Sequence, residues 1–347
     1  MKKKWIVSIV TISGLITITL IGLGIIFDQE EYEKREGFTS IYDVASDGSI
    51  AYVFYEKGKP GIYLENNSKI QSNPIVQLED TQEILDISFS ADEKELAYVV
   101  AYKSKEIDLK SVIKVINIES SKMKELVSEK ALVTEIEYHP KNEDFIYYLK
   151  AQTFENYSPI ASARPHDFDL FSYQISSGET TKHTNLKKYM MQSLQVSSTE
   201  NKAYVSMFDD EHAETADDIF ASHQRIFEIP LDNPHSYQVA SLKEGNKDIY
   251  DFTLTPNEDG FIFQAVNETG DNGIYQYELF HYNRETEEEK QITDLKEHTS
   301  NPTLGPDGKV IYFMVDKQFG SRDSDYHLYR MDINNGEVET VPIRHDS

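Results

Sequence analysis

Two clusters hold the residue types that could do chemistry. In ARPHDFD, Ala163 to Asp169, an arginine, a histidine and an aspartate (Arg164, His166, Asp167) crowd into four positions. In FDDEHAETADD, Phe208 to Asp218, the carboxylates of Asp209, Asp210, Glu211, Glu214, Asp217 and Asp218 surround His212. Oxygen-rich loops can hold Ca²⁺, and a histidine among carboxylates can hold a transition metal. Asp209, Asp210, His212, Asp217 and Asp218 are therefore the candidate metal ligands, with Ca²⁺ as the ion they would suit. Their spacing follows no fixed ligand pattern, so a solvated acidic loop or a short surface helix is the first reading of the run and the metal site the second. Phe154, Tyr157, Arg164, His166 and Phe208 form a second candidate set, for ligand binding. Aromatic and arginine side chains are the usual anchors of binding energy.

Other chemistry is missing from the chain. No GxSxG elbow, P-loop, HExxH or EF-hand pattern occurs, and Cys is absent, which removes thiolate metal sites, Cys nucleophiles and disulfides. The formal net charge of −26 disfavours nucleic acid as a partner, because its phosphates would be repelled. His139 precedes Pro140 in a turn slot, and a structural role is expected for it.

The elements that must position these clusters repeat along the chain. A short strand, a tight polar turn and an apolar, aromatic strand recur in VASDGSIAYV, SFSADEKELAYV, EYHPKNEDFIYY, QVSSTENKAYV, LTPNEDGFIF and LGPDGKVIYF. Aligned on the residue before each turn (Ala45, Phe89, Tyr138, Val196, Leu254, Leu304), the intervals are 44, 49, 58, 58 and 50 residues. A third alternating strand follows, such as GIYLEN from Gly61 or HLYRMDI from His327, and then a short fourth, such as KQITDL from Lys290. This predicts an all-β chain, a six-bladed β-propeller of four-stranded antiparallel blades. Two β-sandwiches would not need the same strand order six times. No swapped strand that would latch the ring is evident.

GPDGKVIYF (Gly305 to Phe313), HLYRMDINNGEVETV (His327 to Val341) and FSADEKELAYV resemble the WD-like repeat with a Ser-Pro-Asp-Gly turn. That repeat is found in TolB-type periplasmic proteins and in the propellers of prolyl oligopeptidases. The resemblance spans about Thr39 to Ile343 and departs most at HPKNEDFIYY and SSTENKAYV. It implies a propeller fold and no one function, since such propellers bind many things. A prolyl oligopeptidase would also need a hydrolase domain of about 250 residues, so that activity is not expected. Asp47, Asp92, Asp307 and Gly308 are read as turn residues.

Alternating strand direction sorts the loops onto two faces. The tight turns SDGS, ADEK, PDGK, SSGE and NNGE share one face. The insertions Tyr102 to Ser111, Ala151 to Phe168, Met207 to His223, Asn267 to Gly273 and Lys317 to Asp325 share the other. Long loops on a rigid scaffold are where function is expected, so both chemical clusters fall on the elaborated face.

Ahead of the repeats, Lys2, Lys3 and Lys4 precede an uncharged run of 23 residues, Trp5 to Phe27. At about 1.5 Å per residue this run is long enough for a hydrocarbon core of about 30 Å. A cleaved signal peptide would have a shorter apolar run and a small-x-small site, which is not apparent here. The expected organisation is a cytoplasmic tail (1–4), one transmembrane anchor (5–27), an acidic linker (28–36) and the propeller (37–347). Lysines before the span and acids after it put the amino terminus in the cytoplasm and the propeller outside the cell membrane. The functional expectation is a non-enzymatic binding or scaffold module for a protein, peptide or envelope polymer, touching the membrane only through its anchor. The alternative is a propeller polysaccharide lyase or glycan hydrolase with a His/carboxylate or metal site in the central funnel.

Overall fold

The computed structural model describes residues 35–66, 69–70, 73–103, 109–152, 166–211, 213–242, 247–270 and 273–343. The expected tail and anchor lie outside these, as does most of the linker. Among the described residues no helix is long and apolar enough to cross a membrane.

The strands follow one another as antiparallel meanders. The first group is β1 (Gly37–Val44), β2 (Ile50–Glu56), β3 (Lys59–Asn66) and β4 (Lys69–Ile70), with β5 (Val76–Gln77) also on β3. Next come β6 (Gln82–Phe89), β7 (Glu95–Tyr102), β8 (Ser111–Asn117) and β9 (Met123–Glu129). The third group is β10 (Ala131–Tyr138), β11 (Phe145–Gln152), β12 (His166–Gln174) and β13 (Glu179–Lys182). The fourth is β14 (Met191–Val196), β15 (Lys202–Phe208), β16 (Gln224–Pro230) and β17 (Gln238–Val239), with a short helix α1 (Ala216–Ala221) between β15 and β16. The last sheet joins β18 (Phe252–Leu254), β19 (Gly260–Thr269), β20 (Tyr275–Asn283) and β21 (Glu289–Gln291) to β22 (His298–Leu304), β23 (Val310–Asp316), β24 (Tyr326–Asp332) and β25 (Val338–Thr340). Among the described residues, strand pairing joins the two halves of that sheet at the parallel pair of Tyr277 with His298. Four-stranded antiparallel groups in this serial order make the chain a β-propeller.

Each second strand is apolar on both faces, and burial explains why. ELAYVVAY of β7 and VIYFMVD of β23 are buried along nearly their whole length, because groups on either side cover both faces. A separate apolar cluster fills each gap between neighbouring groups. Val53, Tyr55 and Ile62 meet Ile84, Leu96 and Tyr98 in one gap, and Val99 and Ile113 meet Ile136 and Tyr148 in the next. The last gap brings Tyr42, Tyr52 and Tyr63 of the first group against Tyr312, Met314 and Leu328 of the last. The innermost strands accordingly neighbour one another in a cycle: β1, β6, β10, β14, β18, β22 and back to β1.

First strands carry a recurring irregularity. Register shifts interrupt the first-to-second pairing between Phe38 and Tyr42, Ile84 and Asp86, Val133 and Glu135, Gln192 and Gln195, and Ser300 and Thr303. A bulge bends its strand and re-aims the side chains beside it. Here it turns polar residues of every affected strand toward the middle of the ring.

Candidate functional site

The residues expected to do chemistry are only partly described. Phe154, Tyr157 and Arg164, within 153–165, and His212 lie outside the described residues. His166 is not in a loop: it opens β12 opposite Gln152, is buried, and sets its ring 5.5 Å from that of Tyr189. The alternating run HDFDLFSYQ extends the strand back over a residue that its polar neighbours make look like loop. Phe208 ends β15 opposite Gln224, and its carbonyl accepts a hydrogen bond from Lys188 Nζ at 3.3 Å. The same ammonium ion-pairs with Asp210. Lys188 and Tyr189 thus draw His166, Phe208 and Asp210 to one locality.

The rest of the acidic run is used locally. Asp218 accepts from Thr215 Oγ1 (2.7 Å) and Thr215 N (2.9 Å), and its own N–H donates to Thr215 Oγ1, a reciprocal cap on α1. Those Thr215 bonds hold the Asp218 carboxyl below its ordinary value. Asp217 is exposed, and the Asp209 N–H donates to the His223 carbonyl. Among the described residues no group of three His, Asp or Glu is arranged to hold a metal ion.

A site that sequence reasoning missed lies in the middle of the ring. A cavity of about 590 Å³ is lined by the first strands of every group and by the turns that follow them, including Ser46, Ser90, Glu93, Pro140, Ser198, Pro256 and Glu258. Its lining runs from mid-strand to those tight turns, so it opens on the plain face. Asp43, Asp86, Glu135, Glu137 and Asp251 face it, and no Lys, Arg or His is among its lining residues.

Most of these carboxylates tie one group to the next. Asp43 Oδ2 accepts from Phe89 N at 2.7 Å, and Asp86 Oδ2 from Ile136 N at 2.8 Å. Glu135 accepts from Ser193 N at 2.9 Å and Leu194 N at 2.7 Å. Ser193 Oγ takes the same part toward Phe252, and Asp251 Oδ2 accepts from Asn301 N at 3.2 Å. The ring closes where Asn301 Nδ2 donates to Ser40 O at 2.8 Å and Tyr42 Oη to Asn301 O at 2.6 Å. Ser193, Leu194 and Asn301 lie inside the register shifts of their strands, and their backbone N–H groups thereby find partners on the neighbouring group.

Enclosure away from bulk water governs the charges. Burial pushes the Asp43 carboxyl up to about 6 and Glu135 to about 7, although their backbone hydrogen bonds pull the other way. Asp86 is raised well above its ordinary value by burial and then by Glu135, and Asp251 is raised by burial. Glu137 differs: burial raises it, Asp43, Asp86 and Glu135 raise it further, and no hydrogen bond lowers it.

The rim is stapled as well. Glu258 holds φ at +57° and accepts from Ser197 Oγ (2.5 Å), Ser198 N (2.7 Å), Ser198 Oγ (2.8 Å) and Thr199 Oγ1 (2.8 Å) of the preceding group. Burial opposes its ionisation, but these bonds outweigh that and hold the carboxyl below its ordinary value. Glu93, also at positive φ, accepts from Ser46 in the same way.

No family model and no curated protein matches the chain. Solved structures of similar fold do. TolB from Acinetobacter baumannii matches with a TM-score of 0.60 at 14% identity, over 85% of this chain and 64% of that one. An oligogalacturonate lyase in complex with manganese matches with a TM-score of 0.59 at 12% identity, over 90% and 78%. A chain of a nidogen/laminin complex matches with a TM-score of 0.57 at 9% identity, over 84% and 93%. This chain therefore spans just under two thirds of the TolB it resembles. At such identities the likeness is one of fold, and the fold is that of the TolB-like β-propellers.

Proposed function

We propose that this chain is a non-enzymatic binding or scaffold module, a six-bladed β-propeller whose recognition site is the central cavity on its tight-turn face. The observation that carries the reading is the use of Asp43, Asp86 and Glu135, each held by backbone N–H groups of the next first strand. Carboxylates committed to such bonds are rigid parts of the wall and poor candidates for proton transfer during a turnover. Proteins of similar fold include TolB and a member of a nidogen/laminin complex, which supports protein binding as the general role. In this proposal residues 5–27 tether the propeller to the outer side of a cell membrane. Phe154, Tyr157 and Arg164 then supply a second contact face for a protein, peptide or envelope polymer, with a Ca²⁺ ion on the acidic run as its optional brace.

The competing reading is a lyase or glycan hydrolase acting in the funnel. An oligogalacturonate carries a carboxylate on each sugar, and the cavity wall offers it acids with no Lys, Arg or His. The full chain is incubated with oligogalacturonate and Mn²⁺ while the absorbance of the unsaturated product is followed. A flat trace is expected. Product that scales with protein concentration and is abolished by Glu135→Gln would overturn the binding-module reading.

A further inference from the structure

The loop between β23 and β24 reaches out of its own half of the last sheet onto the other half. Of residues 317–324 only Phe319 turns inward, and the others are exposed. The Phe319 ring lies flat on His298 at the start of β22, with centroids 3.9 Å apart and planes at 15°. It also meets Tyr277 of β20 edge-on at 5.6 Å. Beside it Gly320 holds φ at +83° and passes so close to Ile274 that a Cβ would stand 3.0 Å from Ile274 Cδ1. The base of the loop is pinned from within, since Asp316 Oδ1 accepts from Gln318 N and Asp325 N, each at 2.9 Å. Between those pins the loop rests on an imidazole, a ring that changes its charge near neutrality.

The surroundings of His298 resist that charge. Gln264 Nε2 donates to Thr299 O at 2.6 Å, which fixes the amide, and the same nitrogen faces His298 Nε2 at 3.4 Å. An amide nitrogen can only donate, so Nε2 is the bare nitrogen of the neutral ring and the proton sits on Nδ1. Nδ1 is buried and makes no hydrogen bond. A second proton would point at the Gln264 N–H and leave both ring N–H groups unmet. An imidazolium gains from the face of Phe319, but less than two enclosed N–H groups lose without an acceptor. Burial holds the imidazole below its ordinary value, although Asp316 and the backbone of His298 itself pull the other way. On the neighbouring elements Asp316 of β23 and Tyr277 of β20 face the ring, with Tyr250 and Asp248 behind Tyr277. On the loop, Asp325 faces His327 and Lys317 faces Tyr329.

We propose that residues 317–325 form an acid-released strap: Phe319 closes on neutral His298 and lifts away when that imidazole is protonated, uncovering His298 and Tyr277. The strap lies on the elaborated face, away from the mouth of the cavity, and works whether or not the cavity is the recognition site. A released ring takes up its proton at the ordinary imidazole value of about 6.5, and the covered ring only below it. Closure is therefore complete well above that value and fades as pH falls through it, by up to about tenfold per pH unit for one proton.

Spin labels on Ser321→Cys and Glu268→Cys of the full chain read the strap directly, because both positions are exposed and the chain has no other cysteine. A short, narrow distance is expected at pH 7.5 and a longer, broader one at pH 5, at constant ionic strength. A second pair, Asp47→Cys with Asp92→Cys on the opposite face, should not change. His298→Phe keeps an aromatic partner that takes no proton, and its strap should stay closed at both pH values. Phe319→Ala should be open at both. His327→Gln removes the neighbouring imidazole and should respond as the unsubstituted chain does. An unchanged Ser321–Glu268 distance between pH 7.5 and pH 5 would overturn the proposal. So would release of the His298→Phe strap in acid, or loss of the response in His327→Gln, which would give the switch to His327 and Asp325. A parallel change in the Asp47–Asp92 distance would overturn it too, since the whole ring and not the strap would then be moving.

Discussion

The Asp86 carboxylate joins two strands of different groups, accepting from its neighbour Ile87 N at 2.9 Å through Oδ1 and from Ile136 N of β10 at 2.8 Å through Oδ2. Asp86→Ala leaves the Ile136 N–H without a partner in an enclosed place. A loss of about 1–3 kcal/mol in unfolding free energy is expected, read from the urea midpoint. Asp86→Asn keeps one acceptor oxygen and discards a charge repelled by Glu135, so its loss should be smaller. Equal losses in the two variants would contradict the latch.

Acidity should stabilise the fold across a defined window. Asp43 and Glu135 sit at about 6 and about 7 in the folded chain, above the ordinary carboxylate values of about 4. The folded state then binds these protons more tightly than the unfolded state. The penalty of their ionisation is complete above pH 7 and fades as pH falls toward 4. The urea midpoint should rise from pH 8 to pH 5. General relief of the net charge of −26 would act in the same direction, so the decisive comparison is Glu135→Gln, which should flatten the upper part of the curve. An unchanged slope in that variant would argue against a role for Glu135.

Much of this arrangement was legible in the sequence and some was not. The turn alignment finds the ends of β1, β6, β10, β14, β18 and β22, because Asp, Asn and Gly at tight turns and apolar second strands have strong local causes. The propeller resemblance follows from the same residues. Asp43, Asp86 and Glu135 were invisible as a set, since a polar residue in an alternating strand reads as solvent-facing. Only closure of the ring gives them a common cavity. Glu258 was hidden for a different reason: in NEDG the glycine invites the positive φ, yet Glu258 adopts it and reaches Ser197 to Thr199. His166 looked like loop because Pro165 and Asp167 flank it, but pairing with Gln152 makes it strand.

The rim staple should be measurable alone. Glu258→Gln keeps the side-chain length and weakens four charge-assisted bonds, and a loss of about 1.5–3 kcal/mol is expected in urea unfolding. Ser198→Ala removes one of the four and should cost less. If Ser198→Ala matched Glu258→Gln, the network would not be shared as described.

Two glycines separate backbone strain from packing between groups. Gly308 has φ +64°, and a Cβ there would stand 2.8 Å from Pro256 Cγ on the neighbouring turn. Gly336 has φ +71° and open space around it. Gly336→Ala should cost about 1 kcal/mol for conformation alone, and Gly308→Ala clearly more, because the rigid proline ring must yield. Calorimetric melting of both variants checks the order, and a reversed order would show that the two turns do not meet.

The cavity exists only if the last group meets the first, and spin-label distances test that most directly. The chain has no cysteine, so paired labels can be placed freely on the exposed turn residues Asp47, Asp92, Glu200 and Asp307. A closed ring predicts that Asp47–Asp307 is as short as Asp47–Asp92, with Asp47–Glu200 the longest of the three. An Asp47–Asp307 distance exceeding both others would mean an open array, and with it neither the cavity nor its ligand.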